Sequence, residues 1–572
     1  MSSDLARINA HTREKVTLLL TAQCTEAGSR NCGGFVWDDS GYADSRNAIY
    51  AFPNLFAAYL YPDFPEWHGQ PAMLERLRLA LGFMQRRQRH DGTVMLGISA
   101  APGCAEVGFT LPGICATYER VAASTLPGRD EILPVLEQYL RRGAAACRTL
   151  RPHTANHRWT ACAGPLACVD RLFPEPGNRE RIADLLDDGL DCDSDGFWFE
   201  ERSPGYNNVA NWGMLYLADH FGARHCLDAA YRNYRNILRF IQPNGEADST
   251  FSHRQDRGAI ACRWGDWWLA KRLAVEYQDG ELATAADLLL EHLEPSHSTF
   301  VPLRFLMDDA RFRDEAVPRK PLPTRVELRA ATEPIWRWRD GAIAATVVAD
   351  HGGHFWDVTY GRWGAPPRSN TVMSLHHGQA VIDGIKLTWG AGSGGFRPEH
   401  LAYEADGAML LTYRDHGQDH VAHYRPRQKW DWANLPYDQQ VQLRIERLPG
   451  GGFRLHIAVD GEVDVPVNLQ FLLREGGRLT DASGTCSLTE SGRTFSAGGD
   501  HLAIATDGSA WRLRGLPPSA HRIFTGDGSH IGGIAERRCH RLLVGAFTPF
   551  HASIDLLPER CDPPPTIQKS ES

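Results

Sequence analysis

Four stretches of the chain carry more polar and aromatic side chains than packing requires. The first, Thr154-Ala155-Asn156-His157-Arg158-Trp159, opens a helix that either Thr154 or Asn156 could cap. The second holds Asp195-Gly196-Phe197-Trp198-Phe199-Glu200-Glu201-Arg202, then Ser203-Pro204-Gly205-Tyr206-Asn207-Asn208. Ser203 before Pro204 reads as a cap with proline at the first helical position. Tyr206 then falls in the first turn of a helix, where the macrodipole favours a phenolate or a bound anion. The third stretch, Asn244 to Gly258, carries His253, Arg254 and Arg257, any of which could hold a carboxylate. The fourth is a strand containing Met373-Ser374-Leu375-His376-His377-Gly378. Alternation puts Met373, Leu375 and His377 on one face and Ser374 and His376 on the other. If the apolar face is core, His376 looks outward and His377 is a hydrogen-bonded core histidine. Each stretch has a plainer reading beside it. An isolated Asn-His pair is more often a cap and a solvated turn, a lone tyrosine is more often packing, and the third stretch reads equally well as a polar loop.

The elements that must position these residues change character along the chain. From about residue 10 to 305 the apolar spacing is i, i+3, i+4, i+7, as in Ala72 to Met84, Glu131 to Leu140 and Ala283 to Leu293. Roughly eleven or twelve such segments follow one another without a strand signal, which implies about six helix pairs in a closed (α/α) toroid, with an open solenoid as rival. At Val317-Pro318-Arg319-Lys320-Pro321-Leu322-Pro323 the prolines suit an extended linker. Beyond it the period falls to two, in Ala342 to Ala349, Gln440 to Leu448 and Gly452 to Val459. Asp340-Gly341, Asp383-Gly384, Asp460-Gly461 and Gly450-Gly451-Gly452 mark turns. The expected class is α+β multidomain. It comprises a helical toroid over 1–316, a Pro-rich linker over 317–325, an antiparallel β-sandwich over 326–556 and a polar tail over 557–572.

Composition narrows the partners. The 572 residues are 42% hydrophobic and 23% charged, which excludes wholesale disorder. Sixty-one basic residues against 70 acidic give a net charge of −9 with no block of like charge, so neither nucleic acid nor an anionic membrane is an expected partner. A few local Arg and His residues can still reverse the field within one cleft. The apolar run from Val16 to Ala22 is short and flanked by Glu14, Lys15, Gln23 and Glu26, so it reads as an amphipathic helix rather than a signal. Thirteen cysteines with no CxxC pair suit a reducing compartment, and the expected address is cytoplasmic. A homo-oligomer is left open.

Asn156-His157, followed by Tyr206 within Asp195-Gly196, Glu200 and Ser203-Pro204-Gly205-Tyr206, resembles the heparinase II/III superfamily of polysaccharide lyases, oligoalginate lyases included. The motif match covers about 155 to 220, and the order of toroid then sandwich extends it to nearly the whole chain. The resemblance implies cleavage at C4 of a uronic acid by β-elimination. It gives Asn156 the task of neutralising the sugar carboxylate, an amide being able to donate without adding charge. His157 would assist or move a proton, Tyr206 would be base, acid or both, and His376 would protonate the leaving oxygen or bind the acid group. A free phenol titrates near ~10, so a basic Tyr206 asks for nearby positive charge from Arg158, Arg202 or its own helix N-terminus. Arg158, Trp159, Arg202, Trp212, His253 and Arg254 are the expected substrate contacts. No cofactor is required for this chemistry. Many relatives carry a His-x-His strand with zinc where this chain has His376-His377, so its metal content stays unknown. A cytoplasmic enzyme would meet imported fragments, which favours exolytic action.

The rival is a glucuronidase-like hydrolase on the same toroid, using two carboxylates about 5 Å or roughly 6.5–9.5 Å apart. Asp195, Glu200, Glu201 and Asp266 are its candidates, though adjacent Glu200 and Glu201 on an extended segment point oppositely. A non-catalytic carbohydrate-binding module is third, since it would not need so large a helical scaffold.

Overall fold

Helical spacing and strand alternation each produce the element they announce. The computed structural model describes residues 3–37, 41–97, 103–152, 154–198, 202–252, 265–293, 301–312, 317–349, 371–389, 394–398, 400–416, 438–489, 492–497, 501–521 and 539–560. The helices are α1 Ser3–Ala22, α2 Ser45–Leu60, α3 Pro71–Arg87, α4 Cys104–Ala122, α5 Arg129–Thr149 and α6 Ala155–Arg158. They continue as α7 Gly164–Leu172, α8 Pro176–Asp187, α9 Pro204–His220, α10 Arg224–Arg239, α11 Trp267–Tyr277, α12 Gly280–Glu291 and α13 Leu303–Leu306.

Successive helices pair as an (α/α) toroid requires: α2 with α3, α4 with α5, α7 with α8 and α11 with α12. The first member of a pair is the more deeply walled. In α2 nearly every side chain is buried, as expected of a helix with neighbours on all sides. Its partner α3 buries one stripe, Met73, Leu74, Leu77, Ala80, Leu81, Phe83 and Met84. Among the described residues no helix is long and apolar enough to cross a membrane. The ten cysteines whose side chains are described are free.

The strands form two sheets of nine. In chain order they are β1 Arg325–Arg329, β2 Ile335–Asp340, β3 Ile343–Val348, β4 Met373–His377, β5 Ala380–Trp389, β6 Gly394–Gly395, β7 Leu401–Tyr403, β8 Met409–His416 and β9 Asp438–Arg447. Then come β10 Phe453–Gly461, β11 Pro466–Arg474, β12 Arg478–Asp481, β13 Gly484–Ser487, β14 Thr494–Ser496, β15 His501–Thr506, β16 Ser509–Arg514, β17 Cys539–Phe547 and β18 Phe550–Glu559. One sheet runs β1-β2-β3-β4-β5-β11-β17-β14 with β6 on β5, and the other β13-β12-β15-β16-β18-β10-β9-β8-β7. Their inner faces share one core, to which Met373, Leu375, Ile385 and Phe471 come from the first sheet and Leu411, Ile445, Leu455 and Trp511 from the second. That arrangement is a β-sandwich. Pairing is antiparallel except where β14 runs parallel to β17.

Asp383-Gly384, expected as a turn, lies inside β5, where the register shifts against β11. Arg474 grips the Asp383 carboxylate and a bulge absorbs the glycine, so the strand continues. The chain divides into two compact units, and the division is not colinear. The helical unit is Met1–Glu201, Gly205–Asn236 and Arg263–Leu322, while the β unit also takes Arg202–Pro204 and Ile237–Cys262. Arg202 goes there because its guanidinium pairs with Glu333.

Candidate active site

Thr154 begins the site. Its extended backbone and its Oγ1, which accepts the His157 N–H at 3.1 Å, make it the cap of α6. Asn156 therefore has no capping role. After four residues the helix widens into a π turn, Trp159–Ala163, before resuming as α7. Such turns recur at functional sites.

The π turn is clamped to α9. Thr160 Oγ1 donates to the Val209 carbonyl and accepts the Gly213 N–H at 3.2 Å. Gly213 has to be glycine: a Cβ there would stand 2.3 Å from the Trp159 carbonyl, and one on Gly164 would stand 2.9 Å from Gly213 itself. Thr160 meets both Val209 and Gly213, and Gly164 also meets Gly213, so the two segments are in close contact here. One turn back from Thr160 is Asn156, and one turn back from Val209 is Gly205 followed by Tyr206. Asn156 is buried and Tyr206 half-buried.

A relay of side chains fixes the start of α9. Tyr234 Oη donates to Asn208 Oδ1 at 2.6 Å and accepts the Asp266 N–H at 3.1 Å. Trp198 Nε1 donates to Asn211 Oδ1 at 3.1 Å, Asn211 Nδ2 to Asn233 Oδ1 at 2.8 Å, and Asn233 Nδ2 to the Gly196 carbonyl at 2.7 Å. Asn208 and Asn211 are thus interior ties, and Asn207 is buried too, so this is not solvated helix surface.

Several residues beside His157 escape any reading of local motifs. The Phe109 ring packs edge-on against the His157 ring, centroids 6.0 Å apart. The Arg46 guanidinium lies over both Phe109, at 5.3 Å, and Tyr50, at 5.2 Å. Its Nε is 3.6 Å from Glu106. Burial raises the Glu106 carboxyl above the usual range, against the pull of Arg46 and with a further push from Asp44. Glu106 and Phe109, three apart on α4, share a face. The only signal available in the sequence is the position of Arg46 and Glu106 in the first turns of their helices.

Other expected contacts are otherwise engaged. Arg158 pairs with Asp191 at 3.1 Å and Asp188 at 3.4 Å and covers the Trp159 ring. Trp159 is fully buried, with Nε1 on Asp191, so it has no face for a sugar. Arg202, also fully buried, is held by Glu333 in the β unit. Trp212 stacks on Trp268 at 6.2 Å as packing. His253 and Arg254 lie outside the described residues, as do Arg257, Glu200 and Glu201. Of the hydrolase carboxylates within them, Asp266 sits at the N-cap position of α11 and Asp195 in the turn before Gly196.

In the β unit, β4 alternates as expected. Met373 and Leu375 enter the shared core, and His377 on that side bonds the Ala510 carbonyl through Nδ1 at 3.0 Å. On the opposite face Ser374 donates to Asp248 at 3.1 Å, Thr346 donates to the same carboxylate, and Arg337 lies 3.6 Å from it. His376 shares that face and is 4% exposed. Burial first, then Arg474, Arg337 and Arg339, hold its imidazole far below the ordinary histidine range. His376 and His377 leave the strand on opposite faces and cannot converge on one ion. Among the described residues no group of three or more His, Cys, Asp or Glu side chains forms a metal site.

No family model and no curated protein matches the sequence. Solved structures do match the fold. Heparinase III aligns at a TM-score of 0.58 with 11% identity, over 93% of this chain and 80% of that one. A chondroitin AC lyase from Streptomyces coelicolor A3, solved with chondroitin sulphate, aligns at 0.52 with 13% identity over 97% and 79%. A second heparinase III aligns at 0.51 with 12% identity over 98% and 84%. At such identities the likeness is one of fold, and the chain has the helical-toroid and β-sandwich fold of these lyases, the architecture its sequence resembles.

Proposed function

We propose that the protein is a lyase that cleaves a uronate-containing glycan at C4 of the uronic acid by β-elimination, acting exolytically on oligosaccharides. The observation that supports this most is the clamp between the π turn and α9, which ties the segment following Asn156 and His157 to the helix that carries Tyr206 in its first turn. An amide and a phenol, each in the first turn of its helix, suit an anionic sugar where the helix dipoles favour negative charge.

The C5 proton lies α to a carboxylate and is hardly acidic while that carboxylate keeps its full charge. Asn156 donates to the carboxylate and supports the enediolate-like intermediate as charge develops. Arg46, paired with Glu106, balances the negative charge. Tyr206 removes the C5 proton. The electron pair forms the C4–C5 double bond, the C4–O bond breaks, and the leaving oxygen takes a proton. Tyr206 returns to that oxygen the proton it took. His157, wedged against Phe109, orients the carboxylate.

The product carries a double bond conjugated to its carboxylate. Incubation with heparan, chondroitin and alginate oligosaccharides should raise ultraviolet absorbance for one of them. New reducing ends without that absorbance would mean hydrolysis and would overturn the reading.

A further inference from the structure

Ten residues beyond Tyr206 on the same helix, and so about 15 Å along its axis, Tyr216 lines a second cavity. It has a volume of about 260 Å³ and is enclosed by α4, α7, the end of α9, the start of α11 and the segment from Val301 to Phe312. All of these belong to the helical unit.

Its wall is an aromatic ledge. Tyr216 stacks on Trp268 at 6.5 Å and on His220 at 6.5 Å, the latter pair only 6° from parallel. Tyr216 is 6% and Trp268 1% exposed, yet Tyr216 Oη and Trp268 Nε1 have no hydrogen-bond partner. Leaving a buried donor unmade is unfavourable enough that native structures seldom tolerate two in one cavity. Both are donors: burial holds the Tyr216 phenol well above its ordinary range, and indole N–H only donates.

The charges around the cavity are already satisfied. Arg171 grips Glu119 with both guanidinium nitrogens, and Arg311 spans Asp219 at 2.8 Å and Asp309 at 2.6 Å. His220 is driven down to about 4, chiefly by burial, and is neutral. A charged ligand would find no unmatched partner here. The volume falls below the roughly 300–1,000 Å³ of drug-sized pockets, which leaves room for a single ring. Free donors at the edges of an aromatic wall and paired acid–arginine forks at the rim suit the hydroxyls of a pyranose.

We infer that this cavity is a binding site for one neutral monosaccharide, separate from the residues proposed to carry out elimination. The test is calorimetric titration of the full chain with glucose, galactose, N-acetylglucosamine, glucuronate and adenosine. At least one neutral sugar should bind saturably, and glucuronate should not. Tyr216→Phe and Trp268→Phe should each weaken that binding by ~3- to 10-fold, the worth of one hydrogen bond, while Tyr206→Phe leaves it unchanged. Circular dichroism identifies a variant that fails to fold, in which case the other decides. No binding by any neutral sugar, binding only by glucuronate or adenosine, or affinity indifferent to both substitutions would overturn the inference. The measurement is independent of turnover, so it stands or falls apart from the lyase reading.

Discussion

Removing one oxygen distinguishes chemistry from packing at Tyr206. Tyr206→Phe keeps the ring, so the fold should persist while kcat falls by roughly 10²-fold or more, the usual worth of a general acid–base group. Near-wild-type turnover would remove Tyr206 from the mechanism. A second prediction concerns acid. His220 titrates near 4, from burial first and then Arg171, against an unfolded value of about 6.5. Between those values the unfolded chain binds the proton and the folded chain does not, so stability is lost as pH falls from 6.5 toward 4. His376, also lowered chiefly by burial, acts in the same direction. The thermal midpoint should drop across that window, and His220→Gln should flatten the drop. An unchanged slope in that variant would show that other groups dominate. Some residue roles were legible in the sequence. The alternation of Met373, Leu375 and His377 located His377 correctly, because a strand's period assigns faces by itself. Arg158 and Arg202 were not, because an arginine's partner is chosen by the fold: Glu333 is remote in sequence from Arg202.

Elements show why some parts of the site could be read and others not. Ser203-Pro204 announced the start of α9, and Thr154 announced that of α6, since caps are local chemistry. The meeting of Arg46, Glu106, Phe109 and His157 joins three helices, and no spacing encodes it. The contact between the π turn and α9 rests on the missing side chain at Gly213. Gly213→Ala should therefore cost about 1–3 kcal/mol by overpacking and depress turnover, since the Cβ pushes α9 from Trp159. Denaturant unfolding and kinetics on one preparation check both, and an alanine tolerated in both would show that the helices stand further apart than described.

The whole molecule was legible as two dialects, helical then stranded, but not as two units that exchange short pieces of chain. Ile237–Cys262 begins in the last turn of α10 yet belongs to the β unit. Arg337 explains why: it donates to the Arg239 and Ile241 carbonyls, each at 3.1 Å, and faces Asp248 from β2. Burial pushes its guanidinium down to about 10 even with Asp248 opposing. Asp248→Ala would leave that cation uncompensated, and breaking a buried pair typically costs about 3–5 kcal/mol. The β unit should unfold earlier in near-ultraviolet circular dichroism. A midpoint unmoved by the substitution would mean that Thr346 and the two carbonyls suffice.

The π turn at Trp159–Ala163 acts as a spacer of one residue in an otherwise regular spiral. Excising a single residue there, such as Ala161, would let the helix close into ordinary pitch while the segment upstream kept nearly its present heading relative to α7, because the wider turn already absorbs the extra residue. Asn156 and His157 would hold their bearing, and the change would fall on the bulge that lies against Gly213. A length change of one codon at this place would thus alter how the helix seats on its neighbour without re-aiming the residues ahead of it.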